Sequence, residues 1–306
     1  MTCPPVLLIL FRRPDQTQKV FQAIRQARPG RLYMAADGPR PGRPGEAEAC
    51  QEARSVLGPV DWPCEVKTFF REANVCIRRN VSEAISWFLE DADEGIILED
   101  DCLPSPDFFV FCAGTLDRYR HDTRVMQICG SGFHPDPQPA DASYFFSRYN
   151  HGWGWATWRR AWDKLDLSLA TLEPFLIEAD RTGFWDGAQE RTYWRKMFRR
   201  TRDWPIDTWD YQWKFSLWKE GGLALYPQAN MVTNLGFGEG ASNTHHKESD
   251  KGDRPFEPLG DLVHPEFVVR HRRADLANFR KMYWGHPWKR WSCRVQKGFR
   301  RILGIR

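Results

Sequence analysis

The stretch "GIILEDDCLPSPDFF" at residues 95–109 drives an apolar run straight into Glu99, Asp100 and Asp101. Adjacent carboxylates repel one another, and a cation removes that penalty. All-oxygen ligands favour hard ions such as Mn²⁺ or Mg²⁺, which keep several waters and borrow ligands from phosphates. The run therefore suggests a nucleotide-diphosphate site rather than a metal cage built from protein alone, with an ordinary acidic turn as the bland alternative. Other polar clusters also end apolar runs: Arg12 and Arg13 follow "VLLILF", and Asp37 follows "RLYMAA". Farther on, "DTWDYQWKFSLW" sets Asp207 and Asp210 among Trp209, Trp213 and Trp218. An acid ringed by indoles is expected to be desolvated, which raises its pKa and suits a general base. On a helix, Asp210, Trp213 and Lys214 share neighbouring turns. Asp207 is the reserve, with helix capping as its structural reading.

These groups need elements to hold them. "PPVLLILFRR" reads as a buried strand, followed by a helix capped by Asp15 or Thr17 with Val20, Phe21 and Ile24 on one face. A strand ending at Asp37-Gly38, a proline- and glycine-rich loop, a helix near 45–57 and a strand near 64–70 come next. Ile77, Val81, Ala84, Ile85 and Phe88 keep helical spacing, ahead of the strand "GIIL" and a helix after Pro106. Strand and helix alternate to about residue 130, the pattern of an α/β fold with a mostly parallel sheet and helices on both faces. Ligands of such sheets bind at the carboxyl ends of strands, where Arg12-Arg13, Asp37 and Glu99-Asp100-Asp101 are expected to meet. After residue 140 the chain becomes aromatic and glycine-rich, then helical to about 220. A strand-like segment and the polar loop "EGASNTHHKESDKGDRP" follow.

The 306 residues suffice for one large domain, and 42% hydrophobic with 27% charged content is ordinary for a soluble globular protein. Fifteen tryptophans suit stacking on sugars or bases and equally suit a plain core. A net charge of +4 is too mild for a nucleic-acid coat. The cysteines form no CxxC pair and several lie in apolar runs, so zinc and disulfide frameworks are not expected. With no signal peptide or spanning segment in view, a cytoplasmic protein is expected, soluble or peripheral at the inner face of a membrane. That contact would come from the basic tail at 286–306, which mixes seven Lys or Arg with Trp288, Trp291, Phe299, Ile302, Leu303 and Ile305.

"GIILEDDCLPSPDFF" resembles the metal-binding stretch of GT-A-fold glycosyltransferases, above all the alpha-1,3-mannosyl-glycoprotein N-acetylglucosaminyltransferase family. There an apolar strand runs into Glu-Asp-Asp and, soon after, Pro-Asp-Phe-Phe, matched here by Pro106-Asp107-Phe108-Phe109. "PVLLILFRRP" and "AADG" are similar to that family's first two strand ends, and the likeness spans roughly residues 5–245. The resemblance implies a Rossmann-like GT-A sheet with a helical, aromatic acceptor-side half. It also implies Asp101 as metal ligand, with Glu99 and Asp100 on the donor sugar and ribose. Arg13, with Arg12 beside it, would contact the donor, and Asp37 would border the base. The helix that touches uracil reads "CIRRNVSEA" here, offering Arg79 and Asn80; Asn80 stands where the family has histidine.

"HGWGWATW" looks like the family's glycine-aromatic turn, which places Trp153 and Trp155 against the donor sugar. Asp210 matches the family's catalytic base. "NLGFGEGASNTHH" resembles a loop that closes over donor, with Ser242 on phosphate and His245 in the metal shell. Taken together, these readings make residues 1–285 one catalytic domain, with a nucleotide-sugar half (1–130), an acceptor half with a lid (131–285) and the tail beyond. The expected activity is inverting, metal-dependent transfer from a UDP-sugar to a glycan or lipid-linked acceptor. A sugar nucleotidyltransferase and a non-catalytic carbohydrate-binding protein are the rival classes. The first should carry a glycine-rich, lysine-containing loop after the first strand, and "FRRPDQTQKV" has no glycine.

Overall fold

A computed structural model describes residues 2–56, 58, 60–132, 141–204, 206–236 and 254–284. In chain order the elements are β1 (Val6–Leu10), α1 (Pro14–Ala27), β2 (Arg31–Ala36), α2 (Glu46–Ser55), β3 (Glu65–Phe70), α3 (Ile77–Asp91) and β4 (Glu94–Glu99). Then come β5 (Cys102–Pro104), α4 (Pro106–Tyr119), β6 (Val125–Cys129), β7 (Tyr144–Ser147), β8 (Trp155–Trp158) and α5 (Arg159–Trp162). α6 (Leu172–Arg181), α7 (Ala188–Asp203), α8 (Asp210–Lys219), β9 (Leu223–Pro227), β10 (Val232–Asn234), α9 (Arg272–Asn278) and a π-helix (Phe279–Trp284) complete the order.

β1 is apolar throughout, and the two-residue strand period splits it between two cores, Leu7 and Ile9 in one and Val6, Leu8 and Leu10 in the other. A strand buried on both faces needs helices on both sides. α1 and α4 cover one face through Val20, Phe21, Ile24, Phe108 and Phe111. α3, α7 and α8 cover the other through Val81, Ile85, Phe88, Trp194, Phe198 and Trp213. The chain is an α/β protein with a mixed, mostly parallel sheet flanked by helices.

The sheet order is β3-β2-β1-β4-β8-β6-β9-β7. β3, β2, β1 and β4 are mutually parallel, so their carboxyl ends share one edge. β8 inserts antiparallel between β4 and β6 with Ile97 opposite Trp155 and Glu94 opposite Trp158. This strand was not expected from "HGWGWATW": four residues running straight into α5 are too short to show a period. Its direction matters for function. Because β8 starts at the carboxyl edge of β4, the preceding residues 150–153 lie over that edge. The two expected halves therefore share one sheet and one core, in which residues of α3 pack with those of α7 and α8.

α1 corrects one expected cap. It begins at Pro14, with Arg13 at the N-cap and no side-chain cap. Asp15 and Thr17 lie inside the first turn, where Thr17 Oγ1 donates to Arg13 O at 2.7 Å. Proline supplies the helical φ at the first position without an N–H to satisfy. The tryptophan excess goes largely to the core: Trp155, Trp158, Trp194, Trp213 and Trp218 are among the largest fully buried side chains. Among the described residues no helix is long and apolar enough to cross a membrane.

Candidate active site

A cleft of about 700 Å³ runs along the carboxyl edge of the sheet. Its floor holds Glu99, Asp100 and Asp101 after β4, Arg13 after β1, and Asp37 after β2. The three strand ends therefore meet in one place.

The cation that answers the acid run within the protein is Arg13. Its Nη1 lies 3.2 Å from Asp100 Oδ1 and 2.5 Å from Asp101 Oδ2. Phe11 N donates to Asp100 Oδ2 at 3.0 Å, so both oxygens of Asp100 are taken. One guanidinium faces three acids, and the excess negative charge is felt. Burial, followed by the charges of Asp101 and Asp100, pushes the Glu99 carboxyl well up, and burial with the charge of Asp101 pushes up that of Asp100. Asp101 is the more exposed of the pair that Arg13 holds. The end of β10 packs onto it: Leu235 N donates to Asp101 O at 2.7 Å, and a Cβ on Gly236 would lie 2.2 Å from Asp101 Oδ2. A side chain there would have to push the Asp101 carboxylate aside.

Among the described residues no three His, Cys, Asp or Glu converge as a metal cage. An ion that takes one or two carboxylates and completes its shell with phosphate and water needs no cage. Asp101, open to the cleft, fits that donor set. Ser242 and His245, expected on phosphate and metal, lie outside the described residues, as does the tail.

Asp37 is buried and fully engaged. Its Oδ1 accepts from Gly38 N (2.9 Å) and Val75 N (3.0 Å), and its Oδ2 accepts from Asn74 Nδ2 (2.9 Å). Asp37 thus ties the loop before α3 to the strand edge, and burial raises its pKa against those hydrogen bonds. Gly38 permits the tie, since a Cβ there would lie 2.5 Å from the Ala73 backbone. Asn74, Asn80 and Arg40 line the same end of the cleft and offer planar polar groups there.

Three expected donor residues are not in the cleft wall. Arg79 points to solvent and pairs with Glu83 at 2.7 Å, because Ile77, Asn80 and Val81 take the cleft-facing positions of α3. Arg12 turns to Glu46 at 3.4 Å. Trp155 is fully buried, stacked on Trp209 with ring centroids 5.5 Å apart, since β8 is an interior strand buried on both faces. Trp153 does line the cleft, as do Asn150, His151 and Gly152.

Both candidate bases are exposed and line the cleft, with different contacts. Asp207 Oδ1 and Oδ2 accept from Arg78 N (2.9 Å) and Ile77 N (3.1 Å), capping a helix 130 residues earlier in the chain. α3 needs this, because its N-cap is Cys76, with φ 69° and no capping side chain. Asp207→Ala should therefore cost about 0.5–2 kcal/mol, whereas Asn, itself a good cap, should restore most of it. Urea unfolding of the two variants checks this. Asp210 opens α8 and is exposed, so the indole desolvation expected for it is absent: Trp209 and Trp213 pack inward. Thr208 Oγ1 donates to Asp210 Oδ1, fixing the carboxylate. The charge of Asp210 adds a small part to the upward push on the Glu99 carboxyl, after burial and the charges of Asp101 and Asp100.

One residue mattered more than its sequence context indicated. Lys214, one turn after Asp210, is 3% exposed yet borders the cleft. Burial pushes its ammonium down to about 8, offset in part by the charges of Asp210 and Asp275. Between about pH 8 and 10.5 the unfolded chain still holds this proton and the folded chain has released it. Raising the pH through that window should stabilise wild type relative to Lys214→Met, by up to on the order of 3 kcal/mol. Paired unfolding curves across the window read the difference directly.

No protein-family model and no curated protein matches this chain. Among solved structures it is similar to mouse xyloside xylosyltransferase 1 in its apo form, at 10% identity and a TM-score of 0.34, covering 70% of this chain and 80% of that one. It is similar to the inositol-1-phosphate CTP transferase from T. maritima at 12% identity and a TM-score of 0.32, covering 59% and 83%. The HddC protein from Yersinia pseudotuberculosis follows at 10% identity and a TM-score of 0.30, covering 51% and 77%. At these scores the likenesses carry no inference about this chain's chemistry.

Proposed function

We propose that the protein is a GT-A-type glycosyltransferase that moves a sugar from a nucleotide-diphosphate donor to a hydroxyl of a glycan or lipid-linked acceptor, with inversion. The observation that carries this reading is that the acid run after β4 and the exposed Asp210 line one cleft. An anionic leaving group and an acceptor base need to lie that close.

In this reading the base and ribose occupy the end lined by Asp37, Asn74 and Asn80, and the diphosphate lies over the strand ends beside Arg13. Asp101 would hold a Mn²⁺ or Mg²⁺ ion whose charge offsets that developing on the departing diphosphate. Asp210 accepts the proton of the acceptor hydroxyl as that oxygen bonds to the anomeric carbon, and the bond from that carbon to the diphosphate breaks. Arg13 is placed to follow: its guanidinium, held by Asp100 and Asp101, offers a donor to the phosphate oxygens. The donor proposed first is a UDP-sugar.

The rivals are weaker on specific grounds. β1 passes through Phe11, Arg12 and Arg13 directly into α1 at Pro14, leaving no glycine-rich loop to cradle an attacked phosphate as a nucleotidyltransferase requires. A purely carbohydrate-binding protein would present its tryptophans, and here most are core. Donor turnover assayed with and without divalent metal separates the three. Metal-dependent release of nucleoside diphosphate supports the transferase. Release of pyrophosphate from a nucleoside triphosphate, or no turnover with any donor, sinks it.

A further inference from the structure

Beyond Asp210 the cleft ends in a recess where α7, α8 and the π-helix meet, lined by Asn150, Tyr193, Tyr211, Lys214, Met282 and Tyr283. Lys214 is the unusual member. Two cationic side chains are 3% exposed, Arg148 and Lys214. Arg148 is paired with Asp186 at 3.0 Å and also with Glu190. Lys214 has no carboxylate within 4 Å among the described residues, and its Nζ donates only to neutral oxygens, Asn150 O at 3.1 Å and Asn150 Oδ1 at 2.5 Å.

An ammonium carries three donors, so one N–H has no acceptor among the described residues. Tyr149, Trp194 and Tyr283 surround Nζ with ring centres at 5.4, 5.6 and 5.6 Å. Ring faces hold a cation in place but do not neutralise it. Asp210 lies one helical turn away and offsets part of the charge without contact. A buried cation left without a counter-ion is costly, and a methionine would fill the same aromatic cage without that cost. Its position at the wall of a cleft gives the cost a use.

We propose that this recess is a subsite for an anionic substituent, a carboxylate or phosphate, carried on the acceptor sugar. The anion meets the remaining N–H of the Lys214 ammonium, while the rings of Tyr193, Tyr211 and Tyr283 flank the sugar's apolar faces. Naming the ligand as the acceptor rests on the transferase reading above. The cation and its recess do not.

The test uses the full chain and sugar pairs that differ only in charge: glucuronate against glucose, galacturonate against galactose, and glucose 6-phosphate against glucose, at matched ionic strength. Binding is read by tryptophan fluorescence and thermal midpoint. Wild type should bind at least one anionic member about tenfold or more tighter than its neutral parent, the value of one charge-assisted hydrogen bond. The preference should vanish in Lys214→Met and Lys214→Gln and persist in part in Lys214→Arg. A uronate preference assigns a carboxylate, and a phosphate preference assigns a phosphate. Equal binding of charged and neutral members by wild type overturns the proposal, and so does a preference that survives in Lys214→Met or, should that variant not fold, in Lys214→Gln. Nucleotide-sugar binding, measured in parallel, should be retained in the Lys214 variants. Its absence in wild type would count against the transferase and leave the anion subsite standing.

Discussion

Asp210→Asn is expected to lower kcat by about 10²–10⁴-fold while donor affinity stays near the wild-type value. Asparagine has the same shape and can still accept from Thr208, so the start of α8 should survive the change. What is lost is the ability to take a proton. Donor affinity should hold because the nucleotide end of the cleft, at Asp37, Asn74 and Asn80, belongs to other elements. Asp207→Asn is the matched control. Asp207 caps α3 through two backbone N–H groups, and asparagine keeps a capping oxygen, so kcat should change little. Measuring kcat and donor affinity for both variants decides between them. Loss of kcat in Asp207→Asn with Asp210→Asn intact would transfer the base to the other acid, and no loss in either would end the inverting mechanism.

Asp101→Asn is expected to cost about 10³-fold in turnover, the scale of removing a principal electrostatic contact to a developing charge. The fold should tolerate it. Asp100 still holds Arg13 at 3.2 Å and accepts from Phe11 N at 3.0 Å, so the junction of β1 and β4 keeps its ties. Titrating Mn²⁺ into wild type and variant separates metal loss from general damage. The variant should need far more Mn²⁺ for its residual activity. An unchanged Mn²⁺ dependence in a folded Asp101→Asn would rule this residue out as the ligand.

Much of the floor of this site was legible from the sequence, because apolar runs ending on charges mark strand ends and parallel strands put those ends on one edge. Arg13, Asp37 and Glu99-Asp100-Asp101 are all such residues. What was not legible depends on register or on distant partners. Arg79 and Asn80 are neighbours in sequence, yet helical geometry sends one to Glu83 and the other to the cleft. Trp153 precedes β8 and lines the cleft, whereas Trp155 opens the strand and packs into the core, a boundary that the run of aromatics does not mark. Asp207 looked like a cap for its own helix and caps α3 instead, a pairing that no local window contains. The tryptophans near Asp210 suggested desolvation, but they pack behind it rather than around it. Lys214 was visible as a helix neighbour of Asp210. That no described carboxylate lies within 4 Å of it follows from the folded core alone.

The most direct test is a thermal-unfolding panel of nucleoside diphosphates and nucleotide-sugars, each with Mn²⁺ and with chelator, on wild type and Asp101→Asn. A ligand that binds only the native state raises its midpoint by an amount that grows with the logarithm of its concentration over Kd. At least one nucleotide-sugar, with UDP-sugars tested first, should raise the wild-type midpoint in Mn²⁺. That shift should shrink with chelator and in Asp101→Asn. A wild-type midpoint that no nucleotide or nucleotide-sugar moves, with metal or without, would contradict the account at its centre.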